Sequence, residues 1–464
     1  MIRVEDNCQR RALSEAADGA AALKACKAAP AGLTVTLEAY LAAGNGLFSF
    51  GGKDAAESRR KRDEELVVAL GASADAEATI QTGNYVGRFS FGKVAFDIGS
   101  RFGDAFMQRM LNFANDIFID DGFSPGARIE AGTMDYARAL LYMMFVQALE
   151  KAFLLGLPKA YRSVARHDPV VRGRIDVARL VRDDIPFLGK VSTVAREQQA
   201  SVAIVDVLAK AISVIDRNGG KRMLGRIAHV RADLAGRRSG RPVTRATVAA
   251  AQSDKSLGNP IFAPYRRVLE LAAMIVRLDA ARQHPTGSSS APGFLLNVAE
   301  LFEIYVRKLL ARSFPAWRVS SPAIFLHAGR FYERNIIPDI VMEHEDGVRV
   351  AVFDTKYKRM HFQGRGRHGA GDVDREDYFQ ISTYMSHYRL HPGKRLVAGG
   401  LLYPLGAAPA QPLCHDSWMA DAEIAFVVDG IVVPPRQDGE DFPDAVAAER
   451  AFVERIAALL EPGR

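Results

Sequence analysis

The stretch from Asn335 to Tyr357 limits the choice of fold more than any other part of this chain. NIIPDIVME and VRVAVFDTKY each have the composition of a strand, and Glu345-Asp346-Gly347 between them supplies a turn. An amphipathic helix is expected before the pair, over Phe294–Leu310, with Val298, Leu301, Phe302, Tyr305 and Leu309 on one face. A short strand is expected at Ala323–His327. After the hairpin come a loop rich in glycine, arginine and histidine (Gln363–Gly371), a second helix over Arg375–Tyr388 and a strand over Arg395–Tyr403. Helix, strand hairpin, helix and strand in that order predict an α/β sandwich.

The rest of the chain reads differently. The first fifty residues are Ala-rich and look helical up to Pro30, and Ser58–Glu65 is a charged surface patch. From Ile80 to Ile98 the pattern alternates, with Val86, Phe89, Phe91, Val94, Phe96 and Ile98 at strand spacing around a Gly92-Lys93 turn, so a hairpin is expected. Its aromatic residues are more simply core than base-stacking. Helices are expected at Met134–Leu155, Ser201–Ile215 and Pro264–Ala281, and Gln283–Gly293 (QHPTGSSSAPG) has the composition of a linker. The chain is therefore expected to be a mixed α+β multidomain protein. Its parts are an N-terminal α+β domain (1–160), a basic and mainly helical region (161–293) and a C-terminal α/β sandwich (294–464).

Charge supports that division. The net charge of +7 resolves into −2 for residues 1–160, +12 for 161–293 and −3 for 294–464. A surplus confined to one Arg-rich third favours an anionic partner over a set of solvated helix faces. With 48% hydrophobic and 25% charged residues, the composition excludes a wholly disordered or collagenous chain. Three cysteines without a CxxC pair exclude a disulfide scaffold. The N-terminus lacks an apolar signal core, and Ala139–Leu157 is interrupted by Gln147, Glu150 and Lys151. A soluble cytoplasmic protein without a membrane span is expected.

The chemistry concentrates in the hairpin. Asp339 is followed fifteen residues later by Asp354, and Lys356 stands two beyond that. Residues two apart on a strand share a face, so Asp354 and Lys356 project together, and Asp339 can meet them across the pair. Two carboxylates and an ammonium on one sheet face are an edge-strand ion pair or a metal site. Burial is costly without the metal. Mg²⁺ suits such oxygen ligands, with water and substrate phosphate completing its shell. Lys356 would orient or deprotonate the attacking water. Glu303 on the preceding helix is placed to add a ligand, and Gln380 and Tyr384 lie one helical turn apart on one face. His387 and His391 are four apart but lack a third ligand, and the chain has no GxxxxGK[ST] phosphate loop.

These residues resemble a known family. Residues 294–403 are similar to the PD-(D/E)xK phosphodiesterase fold, with the Q-x-x-x-Y helix of its RecB-like branch. ELFEIYVRKLL, IIPDIVME, VAVFDTKYK and DYFQISTYMSHY more narrowly resemble McrC, the nuclease subunit of 5-methylcytosine-specific, McrBC-type (type IV) restriction systems. VVRGRIDVARL, VAREQQASVAIVDVLAKAI and GNYVGRFSFGKVAFDIGSRFG fit the same family in order. The resemblance implies that Asp339, Asp354 and Lys356 are catalytic and that Glu303, Gln380 and Tyr384 support them. Asp339, Asp354 and Glu303 would be the metal ligands. It implies Mg²⁺, with Mn²⁺ as a substitute, and double-stranded DNA, methylated DNA included, as substrate. It also implies docking of the N-terminal part onto a hexameric McrB-like AAA+ GTPase or ATPase. Two alternatives stay open: a DNA-binding, activating subunit that does not cleave, and a stand-alone nuclease of another defence or repair system.

Overall fold

The computed structural model describes residues 2–12, 33–43, 46–48, 65–72, 78–91, 94–114, 136–221, 223–283, 293–327, 329, 334–358, 373–406, 414–433 and 445–461. The chain forms two compact units: Met1–Ala127 together with Pro292–Arg464, and Arg128–Ala291. It is a mixed α/β protein with several sheets. Most of the expected Ala-rich helix, the Ser58–Glu65 patch and the Gln363–Gly371 loop lie outside the described residues.

In the first unit a five-stranded sheet runs in the order Ile2–Glu5, Val94–Gly99, Tyr85–Phe91, Phe294–Asn297, Gly46–Phe48. The expected hairpin is its middle, with Phe89 opposite Phe96. Their rings stack at 5.0 Å, and Tyr40 meets Phe89 edge-on at 5.2 Å, which makes these aromatics core. Two expectations give way here. Ile2–Glu5 is a strand, not the start of a helix, because IRVE alternates and buries Ile2 and Val4. Phe294–Asn297 is also a strand, antiparallel to Tyr85–Phe91, and the helix begins only at Val298. Gly293 makes that entry possible: a Cβ there would lie 2.1 Å from the Cβ of Phe89. Asn297 then caps the helix by accepting from Glu300 N. A four-stranded antiparallel sheet joins Arg11–Ala12, Ala78–Thr82, Leu66–Ala72 and Thr34–Thr36.

The C-terminal part of this unit is a six-stranded sheet ordered Trp317–Ser320, Ile340–His344, Arg349–Thr355, Arg395–Leu405, Asp421–Val432, Cys414–Trp418. The expected hairpin forms its centre, with Ile340 opposite Phe353. At the turn, Gly347 adopts a left-handed φ of 72°. Arg349–Thr355 pairs in parallel with Arg395–Leu405, and the connection between them carries the helix Arg375–Leu390. That helix sets Ile381, Met385 and Tyr388 against Val350, Val352, Leu401 and Tyr403. On the opposite face lies Ala445–Leu460, whose Arg455 reaches Asp429, one residue out of phase with the Phe426 and Val428 that face the first helix. Val298–Ser313 adjoins it through Tyr305 Oη, which donates to Glu449 Oε1 at 2.8 Å, while Arg109 makes a bidentate pair with Glu449 at 2.7 Å. Helices thus cover both faces of the sheet.

The second unit combines helices with an antiparallel ribbon. Lys159–Asp168 and Val191–Ala200 pair over their whole length, Lys159 opposite Ala200. The helices Tyr136–Ala152, Val202–Arg217 and Pro264–Gln283 pack together, close to the positions expected for all three. The ribbon was not foreseen, because its faces are mostly polar and few of its residues are buried. Among the described residues, no helix is long and apolar enough to cross a membrane.

Candidate active site

The site forms where Arg349–Thr355 ends. Its residues alternate, so Val350, Val352 and Asp354 share the face covered by Arg375–Leu390. Asp339 is one position beyond the last paired residues and stands across from Asp354. Asp354 is 1% exposed. Lys356 Nζ lies 2.6 Å from Asp354 Oδ2 and donates to Gln380 Oε1 at 2.7 Å. Gln380 in turn donates from Nε2 to Tyr384 Oη at 2.9 Å. Asp339 Oδ2 accepts from the backbone N of Thr355 at 3.0 Å and from its hydroxyl at 2.8 Å. Five of the six expected residues are therefore gathered at one strand end.

The sixth, Glu303, is connected indirectly. Its Oε1 is 2.9 Å from Arg307 Nη1, and the same nitrogen donates to the Asp339 carbonyl at 3.3 Å. Glu303 is thus tied to the hairpin through Arg307.

The structure adds residues that sequence reasoning passed over. Buried Asp377 lies 3.3 Å from Lys356 Nζ and 2.9 Å from Lys358 Nζ, and Asp374 accepts from Lys358 at 3.3 Å. Asp377, Gln380 and Tyr384 are spaced i, i+3, i+7, so the signal was present: one helix face carries all three.

Electrostatics follow from this arrangement. Burial alone would lower the pKa of the Lys356 ammonium, but Asp354, Asp377 and Asp339 together outweigh it and hold the group above the usual lysine value. Burial likewise raises the Tyr384 phenol, with Gln380 opposing and the two carboxylates of the hairpin adding to it.

The donor set suits a hard divalent cation. It offers carboxylate oxygens and neither thiolate nor imidazole, and two carboxylates are what Mg²⁺ usually takes from a protein. Among the described residues, no three His, Cys, Asp or Glu side chains gather into a metal-holding group. A bound ion would find the Asp339 and Asp354 carboxylates across from one another at the strand end, with water and substrate completing its shell.

The family described as "McrBC 5-methylcytosine restriction system component" matches residues 80–404. The fold is similar to a chain in "Refined half-complex from tetradecameric assembly of Thermococcus gammatolerans McrB AAA+ hexamers with bound McrC", with a TM-score of 0.55, 14% identity and 99% of each chain covered. A chain of "Cryo-EM structure of the Thermococcus gammatolerans McrBC complex" gives a TM-score of 0.36 at 15% identity, covering 68% of this chain and 89% of that one. No protein with a curated description matches.

Proposed function

From the premise that the chain belongs to the family of McrBC 5-methylcytosine restriction system components, we propose that it is the nuclease subunit of such a system. It hydrolyses phosphodiester bonds of double-stranded DNA, methylated DNA included, through a PD-(D/E)xK site that depends on Mg²⁺ or Mn²⁺. One observation carries the reading: Lys356 Nζ is held between Asp354 Oδ2 at 2.6 Å and Gln380 Oε1 at 2.7 Å, beside Asp339.

Asp339 and Asp354 would hold the divalent ion, and Glu303 supports the hairpin end through Arg307. A bound divalent ion supplies charge stabilisation at the scissile phosphate and an acidified water. Lys356, kept charged by its carboxylates, donates a hydrogen bond that orients the attacking water and offsets negative charge developing on the phosphate. Gln380 holds the ammonium in line, and Tyr384 fixes the Gln380 amide.

The partner is a McrB-like AAA+ GTPase or ATPase hexamer. The Thermococcus gammatolerans assembly, in which McrB hexamers carry bound McrC, supports this choice. The +12 segment over residues 161–293 follows the DNA backbone and leaves target choice to the partner.

Plasmid cleavage in Mg²⁺, with and without the partner NTPase, tests the assignment. Wild type is expected to cut when the NTPase is present, whereas Asp354→Ala and Lys356→Ala leave the plasmid closed. Identical behaviour of all three proteins under every condition means that the chain does not cleave DNA with this site.

A further inference from the structure

The strand that carries Asp354 loses a neighbour where the site begins. Pairing with Ile340–His344 stops at Ile340 opposite Phe353. On the other side, pairing with Arg395–Leu405 continues to Thr355 opposite Leu402, and Lys356 N donates to Leu402 O at 2.8 Å. Alternate residues of an extended strand direct their backbone groups to the same side. Thr355 and Tyr357 therefore point theirs to the side that Ile340–His344 has left open.

Side chains take over on that side. The Asp339 carboxylate accepts from Thr355 N, as described above. At the next position the donor is Asn7, 350 residues away in sequence, whose Nδ2 donates to the Tyr357 carbonyl at 2.7 Å. Asn7 is itself aimed. Nδ2 also donates to Asn84 Oδ1 at 2.8 Å, its backbone N donates to Gly83 O at 2.8 Å, and its φ of 47° is a left-handed conformation that asparagine tolerates.

The Tyr357 ring is held from the same part of the chain. The Arg101 guanidinium lies 4.6 Å from its centroid, and Arg101 N donates to buried Asp6 at 2.6 Å. Tyr357 is 3% exposed and directly follows Lys356.

We infer that Asn7 is a positioning residue for Lys356. By holding the Tyr357 carbonyl beyond the point where pairing with Ile340–His344 ends, it fixes the backbone from which the Lys356 ammonium reaches Asp354 and Gln380. The consequence for turnover rests on the nuclease reading; the consequence for Lys356 itself does not. The N-terminal sheet is then part of the cutting machinery and not only an appendage to it.

Two full-length variants test this. Asn7→Gly keeps the left-handed backbone accessible and removes the donor. Asn7→Asp keeps the shape and sets an acceptor against the Tyr357 carbonyl. Trace acetylation with acetic anhydride, read by mass spectrometry, reports how well Lys356 is held relative to Lys394. Lys394 serves as reference because it pairs with Glu343, away from the site.

The Lys356-to-Lys394 labelling ratio is expected to rise about threefold or more in both variants, the scale of one lost hydrogen bond. In the cleavage assay kcat is expected to fall about tenfold or more with KM for DNA unchanged, as a displaced catalytic group would give. A folded Asn7→Gly protein with the wild-type labelling ratio overturns the inference, and that variant alone decides if Asn7→Asp does not fold. A wild type that never cleaves overturns the nuclease reading instead, while the labelling ratio still decides the role of Asn7.

Discussion

Replacing Asp377 by asparagine should separate the position of Lys356 from its mere presence. The substitution keeps the volume of the side chain and its capacity to accept from Lys358, 2.9 Å away, but removes one of the carboxylates that surround Lys356. At the observed 3.3 Å, an effective dielectric constant of about 20 gives a gross attraction of roughly 5 kcal/mol. Both side chains are largely buried, so desolvation cancels much of that attraction. The net contribution is about 1.5–3 kcal/mol, the range of a hydrogen bond to a charged group. If most of it serves to hold the ammonium in its working place, kcat falls roughly tenfold to a hundredfold. Binding of DNA stays as it was, because Asp354 and Gln380 still retain the lysine nearby. Single-turnover cleavage with saturating protein reads the first quantity, and titration without metal reads the second. An Asp377→Asn protein that cleaves within about twofold of wild type, beside an inactive Lys356→Ala, would refute the argument that Asp377 places the ammonium.

Three further expectations follow from other parts of the molecule. Fully buried Asp6 has its pKa pushed up to about 6, chiefly by burial, with Arg101 pulling it down. Its protonated form stabilises the fold fully below about pH 4, and that contribution is lost as the pH rises through about 6. Asp6→Asn, which cannot ionise, should therefore gain on wild type by up to about 3 kcal/mol between acid and neutral pH. Denaturation curves at pH 4.5 and 7.5 with an unchanged difference would remove this assignment.

Gly400→Ala would set a Cβ 1.8 Å from the Val427 carbonyl oxygen in the neighbouring strand. It should destabilise the first unit by about 3 kcal/mol or more, visible as a fall in Tm; a Tm within a degree of wild type contradicts the close approach. DNA binding through the +12 segment should weaken roughly a thousandfold between about 50 and 200 mM salt if about six phosphates are engaged. A flat salt response would leave the segment without that role.

What could be read from the sequence was local. The period of two along VAVFDTKY puts Asp354 and Lys356 on one face, and a short turn forces Asp339 to stand opposite. The i, i+4 spacing of Gln380 and Tyr384 works the same way, and Asp377 one turn earlier was equally legible but went unread. What escaped was non-local. Phe294–Asn297 is a strand because Tyr85–Phe91 and Gly46–Phe48, some two hundred residues or more earlier, pair with it on either side. Asn7 and Arg101 meet Tyr357 through a sheet whose existence no short window reveals. The Arg307 bridge that takes up Glu303 depends on where the Asp339 carbonyl points, which chain order alone does not specify.

Single-turnover cleavage of a labelled duplex across a Mg²⁺ titration, with the partner NTPase present, tests the central claim most directly. Wild type should show saturable dependence on the ion and no cutting in chelator. Asp354→Asn should lose at least about a hundredfold in rate at every concentration, the scale of removing a charge-stabilising group from a reaction centre. Cutting that persists in chelator, or an Asp354→Asn protein as fast as wild type, would contradict it.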